Sequence, residues 1–553
     1  MHAILFYLTT FGHVDGEFDA REKEFVRAYI GRLIQARVDQ ARSDASEDVK
    51  ADLVARWTNH FHEVLEETDT NVRGLFTEAV ARDEDSETFV LAKLKLRCFE
   101  IFRGFDPSSQ TQLLSSVDEL IAADGKLHPA EEKFRRELQA LLTAEVPLHE
   151  GELEEVDAAQ VTTSAPPSAA PRVKSEDHPF FQRLERHYSR DPETLKRQTE
   201  ADLALLDQAM DAFAKLRVGN EGKLTGKTSV DELAGMAPFL DGFTAVHMPQ
   251  PTDDVELLVL GDLHGCYSCL KGALLQFDFF AKVQKWKEDP KAHPMPRLVL
   301  LGDYIDRGQF SFNGILRTVL QLFVTVPEHV VVLRGNHEYF LEYKGRIYGG
   351  VRPAEAIATL EPHAPRELFE GYLKMFEALP NVFLFDKMMF VHAGIPRDQL
   401  LAETWKDLSS LNDPDMRFQM LWSDPSEADY IPHELQKQNA RFPFGRLQFR
   451  SFMARLGANT LVRGHEKVDA GWKKVYDDGV VLLFNLFSAG GADNDDLPPD
   501  SSYRSVTPMA LTVRWKQGDV SFSPWLIDFQ TYNDPERNAF FKLPPEIEFR
   551  SSQ

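Results

Sequence analysis

"RLVLLGDYIDRG", residues 297–308, is an apolar run that ends abruptly in charge. Leu298 to Leu301 leave no polar face, which describes a strand covered on both sides rather than one that alternates between core and water. Gly302 and Asp303 follow at once, and the C-terminal ends of such strands are where α/β enzymes keep their chemistry. The same pattern recurs in "VELLVLGDLHG" (255–265), "HVVVLRGNHE" (329–338), "MMFVHAG" (388–394) and "NTLVRGH" (459–465). A single buried histidine is ordinarily a hydrogen-bonded core residue. Five successive strand ends, each supplying Asp, His or Asn, are not explained that way, because these are the side chains that ligate metals.

Taken together, the motifs resemble those of the metallophosphoesterases, specifically the phosphoprotein phosphatase family of serine/threonine phosphatases. The resemblance runs from Val255 to Asp496, and "GDYIDRG", "LRGNHE" and "LWSDP" (421–425) are its most specific elements. It implies an α/β catalytic domain with a central β-sandwich flanked by helices. It implies two divalent metal ions, one held by Asp262 and His264 and the other by Asn336, His392 and His465, with Asp303 bridging both. Mixed nitrogen and oxygen ligation suits manganese first, or iron or zinc, better than magnesium. A metal-bridging hydroxide is the implied nucleophile. His337 is the implied general acid for the serine or threonine leaving oxygen, with Asp306 orienting its imidazole. Arg307 would bind the phosphoryl oxygens through its planar fork, beside Asn336. A second phosphate-binding arginine is expected at Arg441 in "NARFPFG", with Arg446 as its competitor.

Two stretches depart from the family pattern. "KVQKWKEDPKAHPMPR" (282–297) reads as an inserted surface loop, and "LFSAGGADNDD" (486–496) lacks the tyrosine of the eukaryotic "LFSAPNY". Substrate preference is therefore open. A phosphorylated protein is the expected substrate, the alternatives being a small phosphate such as diadenosine tetraphosphate or a stress-linked scaffold that only binds. Cys266 and Cys269 form a C-x-x-C within the first motif, and Cys98 is the only other cysteine, too few for a four-thiolate zinc site. They read as small packing residues or as oxidation-sensitive thiols in the first turn of a helix.

Composition narrows the setting. The 553 residues carry a net charge of −25, which argues against nucleic acid as a partner. No apolar run approaches the roughly 20 residues needed to span a bilayer, so no membrane insertion is expected. Three cysteines fit a reducing cytoplasm. Residues 1–150 hold 29 acidic and 18 basic side chains, about twice the acidity per residue of the remainder. That surface is either simply well solvated or a docking face for a regulatory partner.

The chain divides accordingly. Residues 1–145 show helical spacing with an internal duplication: Asp15, Gly16, Glu22 and Phe25 recur at one offset as Asp124, Gly125, Glu131 and Phe134. Asp19 with Glu22 predicts a capping box, and Pro129 a first helical position. The duplicated pattern resembles the TerB-like acidic helical domains linked to tellurite resistance and stress responses, which implies a possible metal-binding or stress-partner role. Hydrogen-bonded tight turns are the simpler account of Asp15 and Asp124, and an EF-hand does not fit. An Ala/Pro/Ser-rich linker is expected over 146–178, a helical lead-in over 179–250 and the catalytic domain over 251–545.

Overall fold

A computed structural model describes residues 2–14, 18–41, 46–75, 94–96, 98–99, 107–121, 129–143, 177–437 and 441–550. The chain forms two compact units, one comprising Met1–Leu148 with Ser426–Asn439, the other His149–Pro425 with Ala440–Gln553. The Asp15–Gly16 and Asp124–Gly125 turns and linker residues 146–176 lie outside the described residues.

The first unit is helical: α1 (His2–Gly12), α2 (Ala20–Ala41), α3 (Glu47–Leu75), α4 (Pro107–Ile121) and α5 (Pro129–Thr143). The α2 start follows from its sequence. Asp19 Oδ1 accepts from the Glu22 N–H at 2.9 Å, and Glu22 Oε2 accepts from the Asp19 N–H at 2.8 Å, a reciprocal capping box. Ala20 and Pro129, the first residues of α2 and α5, stand at equivalent positions of the two sequence copies. Leu5, Leu8, Phe11, Val26, Ile30 and Phe134 meet in the core, joined by Ile431 and Leu435 of the later segment.

The second unit is built on two sheets. Its principal strands are β1 (Phe239–Asp241), β2 (Thr244–His247), β3 (Asp254–Leu260), β4 (Met295–Leu300), β5 (Val330–Val332), β6 (Val382–Phe385), β7 (Met388–Val391), β8 (Thr460–Arg463), β9 (Trp472–Asp477), β10 (Leu482–Leu486), β11 (Met509–Lys516) and β12 (Asp519–Leu526). One sheet runs β12-β11-β3-β4-β5 and the other β1-β2-β6-β7-β8-β10-β9. The pairs β3–β4, β4–β5 and β7–β8 are parallel, so the ends of β3, β4 and β5 share one edge, as do those of β7 and β8. The unbroken apolar runs have the expected cause. Val255, Leu257 and Val259 point between the sheets towards Phe383, Phe390 and Phe484, while Leu258 and Leu260 point into the helical layer. Both faces are dry.

Two expectations need correction. The stretch 282–297 is not a loop: its first part lies in the helix Phe279–Glu288 and its last part in β4. The lead-in over 179–250 is helical only in part: after the helices Pro179–Gln182 and Pro192–Arg217 it supplies β1 and β2 of the larger sheet. Asp191 caps the second helix through the Thr194 N–H at 2.9 Å, and Pro192 fits its first position. The lead-in is bound into the second unit by buried ion pairs. Lys271, fully buried, pairs with Glu185 at 2.5 Å and Asp177 at 2.8 Å, and Arg317 grips both oxygens of Asp202 at 2.8 and 2.9 Å. Among the described residues, no helix is long and apolar enough to cross a membrane.

Removing one partner of a buried pair leaves an uncompensated charge, at a cost of about 3–5 kcal/mol. Lys271→Ala, which leaves the buried Glu185 carboxylate without its cation, is therefore expected to shift the denaturant midpoint of the second unit strongly. Glu342→Ala, which breaks the exposed Arg366–Glu342 pair, should cost less than about 1 kcal/mol. Equal shifts in the two unfolding curves would show that the Lys271 network is not a structural anchor.

Candidate functional site

All five strand ends converge. Asp262 and His264 follow β3, Asp303 follows β4, Asn336 and His337 follow β5, His392 follows β7, and His465 follows β8. His264, Asp303, Asp306, Arg307 and His465 all adopt left-handed backbone conformations, with φ of 41°, 55°, 67°, 65° and 70°. Such strain in non-glycine residues gathers where function dictates side-chain direction. The first two loops touch backbone to backbone: a Cβ on Gly265 would lie 2.3 Å from the Gly308 carbonyl oxygen. Only glycine allows that approach.

Asp303 is the centre of the cluster. Its Oδ2 lies 3.5 Å from His264 Nε2 and its Oδ1 3.4 Å from His392 Nε2, so the two oxygens face different imidazoles. Around the second of these, Asn336 Oδ1 lies 2.9 Å from His392 Nε2 and 3.2 Å from His465 Nδ1. Two sets of possible ligands result, His264–Asp303–His337 and Asp303–His392–His465, sharing Asp303. The tautomers are arranged from behind. His264 Nδ1 is 2.9 Å from the Ile305 carbonyl and His392 Nδ1 3.1 Å from that of Leu301, which turns both Nε2 atoms inward as acceptors.

The donor set fits cations. Among the described residues, Asp262 Oδ2 is buried without a hydrogen-bond partner, which is costly unless something else satisfies it. Burial holds His264, His337, His392 and His465 well below the usual histidine range, so their nitrogens carry lone pairs. Burial likewise pushes Asp262 up to about 7 and Asp303 well above the usual carboxylate range, with the Asp262 charge adding to the latter. A cation would reverse that penalty.

His337 differs from the other histidines. Its Nδ1 lies 2.7 Å from Asp306 Oδ2, and Asp306 is itself held by the Ala356 N–H at 2.9 Å. His337 Nε2 thus points into the site, 4.0 Å from Asp303 Oδ2. Arg307 is present, but its Nη1 is committed to both Glu355 oxygens, at 2.9 and 3.0 Å, and to the Pro353 carbonyl. Arg441 Nε donates to Asp424 Oδ2 at 2.5 Å, and the charge of Arg441 lowers both His337 and His465. Arg446 instead begins the helix Arg446–Leu456, with its guanidinium near the Tyr476 ring. Arg441 thus pairs with Asp424, whose Oδ1 lies 3.8 Å from His465 Nε2, while Arg446 opens that helix.

Sequence reasoning missed the supports. Glu338 accepts from the N–H groups of Asp303, Tyr304 and Gly335 at 2.8, 2.8 and 3.0 Å, fixing the loop that carries the central carboxylate. Asp424 also receives Arg463 Nη2 at 2.8 Å, and Arg463 is fully buried. Glu338 closes "RGNHE" and Asp424 lies in "LWSDP", so both stood inside quoted motifs without an assigned role. For the cysteines, the structure favours the packing reading over the oxidation-sensitive one. Cys266 and Cys269 do sit at the start of the helix Tyr267–Gln276, but both are fully buried, and desolvation pushes Cys269 well above the usual thiol range. Packing is their role, because a reactive thiol needs access and a lowered pKa.

Residues 255–469 match the family model described as calcineurin-like phosphoesterase. The chain is 28% identical over 235 residues to a "Probable serine/threonine-protein phosphatase" of Encephalitozoon cuniculi, covering 42% of this chain and 46% of that protein. It is 24% identical over 236 residues to the serine/threonine-protein phosphatase 4 catalytic subunit of Eremothecium gossypii, covering 42% of this chain and 69% of the relative. A solved Saccharomyces cerevisiae protein serine/threonine phosphatase aligns with 59% of this chain and 90% of its own, at 16% identity and a TM-score of 0.38. The match thus spans less than half of the first of these relatives.

The weakened acidity of Asp262 has a testable sign. Its carboxyl titrates near 3.8 when unfolded and at about 7 when folded, so between these values the folded chain holds the extra proton. The stabilisation is complete below the lower value and is lost as pH rises through the upper one. Metal-free protein should accordingly lose stability from pH 4 to 7 more steeply than Asp262→Asn, and added manganese should flatten the wild-type decline. Parallel thermal-midpoint profiles for the two proteins would contradict this.

Proposed function

We propose that this calcineurin-like phosphoesterase domain hydrolyses phosphate monoesters, with phosphoserine or phosphothreonine in proteins as its substrate. The observation that carries this reading is the shared carboxylate of Asp303 between two inward-facing imidazole sets, next to an Asp–His pair and two arginines. Asp262, His264, Asp303, Asn336, His392 and His465 would hold two divalent ions, manganese foremost. Bound there, the ions supply Lewis acidity and an activated water.

The chain's own groups account for the rest. Arg307 and Arg441 bind the phosphoryl oxygens, and Asn336 adds a polar contact beside His337. An alkoxide from serine is a poor leaving group and needs a proton as the P–O bond breaks. His337 delivers it from Nε2, because Nδ1 is tied to Asp306 at 2.7 Å. The free imidazole is held neutral by burial and by Arg307 and Arg441. Asp306 and the incoming phosphate dianion together provide the countercharge that lets it carry the proton.

The helical unit is proposed to be TerB-like and regulatory, receiving a stress or regulatory partner on its acidic surface. A cytoplasmic setting suits the three free thiols. Deleting residues 1–176, which spares Asp177 and the Lys271 network, would by itself strip Ile431 and Leu435 of their core, so the deletion must carry polar substitutions at both positions. Aryl-phosphate turnover should then persist while turnover of phosphoprotein changes. Loss of both would refute a separable regulatory unit.

His337→Asn should reduce kcat on phosphoserine peptides by about 10²–10⁴-fold, with a smaller loss on an aryl phosphate whose leaving group needs no proton. Arg441→Ala should raise KM far more than Arg446→Ala. A panel of phosphopeptides and dinucleoside polyphosphates decides the substrate class, and preference for the latter would replace the protein-phosphatase reading. No turnover with any divalent metal would leave only the scaffold.

A further inference from the structure

The short 3-10 turn Ser502–Ser505 brings to the site a side chain that none of the five strand ends supplies. The ring of Tyr503 lies 5.2 Å from that of His264, tilted by 32°, and 5.3 Å from the ring of Phe487, nearly edge-on. The turn is held from both sides. The Ser501 side chain accepts from the Tyr503 N–H at 3.3 Å, and Arg504 donates to the carbonyls of Ala492, Leu497 and Pro498 at 2.6–2.8 Å. Tyr503 is only half-buried, unlike the metal-ligand candidates around it.

The hydroxyl is placed for an anion. It lies beside the Arg307 guanidinium and within the electrostatic reach of Asp262 and Asp303. A guanidinium has only N–H donors, so towards Arg307 the phenol oxygen can only accept. Among the described residues, its own proton has no protein acceptor. Arg307, for its part, spends one nitrogen, Nη1, on Glu355 and Pro353, and its other two are not engaged by them. Donors from two elements distant in sequence therefore lie together, with the Tyr503 ring against His264.

We propose that Tyr503 is a substrate-positioning residue whose O–H donates to a phosphoryl oxygen held by Arg307. This rests on the phosphoester reading above and adds to it a residue from outside every motif of the site. The competing account is that the ring only braces His264. Tyr503→Phe separates the two, because it keeps the ring against His264 and Phe487 and removes only the hydroxyl.

In the full manganese-loaded chain, titration calorimetry should show inorganic phosphate binding to Tyr503→Phe about tenfold more weakly, as expected for one hydrogen bond to a charged group. KM for an aryl phosphate should rise by a similar factor, kcat should change less than about threefold, and bound manganese and melting temperature should stay at wild-type values. Tyr503→Leu, which also removes the ring, should lose no less phosphate affinity than Tyr503→Phe. Unchanged phosphate affinity in Tyr503→Phe would overturn the proposal, as would loss of manganese or of thermal stability in that variant. A wild-type chain that binds phosphate but cleaves no phosphoester would overturn the preceding reading alone.

Discussion

Asp303 turns one carboxylate oxygen to His264 and the other to His392, at 3.5 and 3.4 Å, in a place nearly closed to water. The rest of the second unit is organised around that position. Buried carboxylates are expensive, several kcal/mol each even after relaxation, and here Asp262 and Asp303 sit close enough for one to raise the other. Neutral imidazoles surround them and offer lone pairs rather than protons. Anionic oxygens and imidazole nitrogens crowded in this way favour a cation over any other occupant.

Holding such a cluster together takes rigid surroundings. Parallel strands with both faces dry supply them, because β3, β4 and β5 end at one edge and cannot shift register without moving a whole apolar set. The last few residues then turn through left-handed backbone at His264, Asp303, Asp306, Arg307 and His465. Each such turn is unfavourable by itself and persists only where neighbours over-determine it. Glu338 is one of those neighbours, gathering three N–H groups of the Asp303 and Asn336 loops onto one buried carboxylate.

The same logic separates the histidines. His337 is as buried as His264 or His392, yet its back nitrogen meets a carboxylate where theirs meet backbone carbonyls. A carbonyl fixes a neutral tautomer, whereas a carboxylate can also stabilise the charged form. One residue type is therefore held in two different electrostatic settings, and the atom behind the ring decides which.

Much of this was legible in residue order. Buried strands declare themselves through runs that no helix or alternating strand would carry, and "GDLHG", "GDYIDRG" and "RGNHE" mark the strand ends with ligand-type side chains. The capping box at Asp19 and Glu22 was equally local, and it formed as the sequence predicts. The failures were non-local. Residues 282–297 look like a loop, but their flanks are claimed by a helix and a strand. For Cys266 and Cys269 the local sequence left packing and oxidation chemistry both open, and burial decides for packing. Local pattern thus determined which strands exist, where they end and which ligand-type side chains follow them, because strand period and side-chain chemistry belong to short stretches. Only the tertiary structure decided that Arg441 pairs with Asp424 beside His465, that Glu355 holds Arg307, and that Ile431 and Leu435 join the helical core. It likewise put Tyr503 over His264. Those outcomes depend on distances between segments far apart in the chain, and such distances are set by packing, which no short stretch of sequence records.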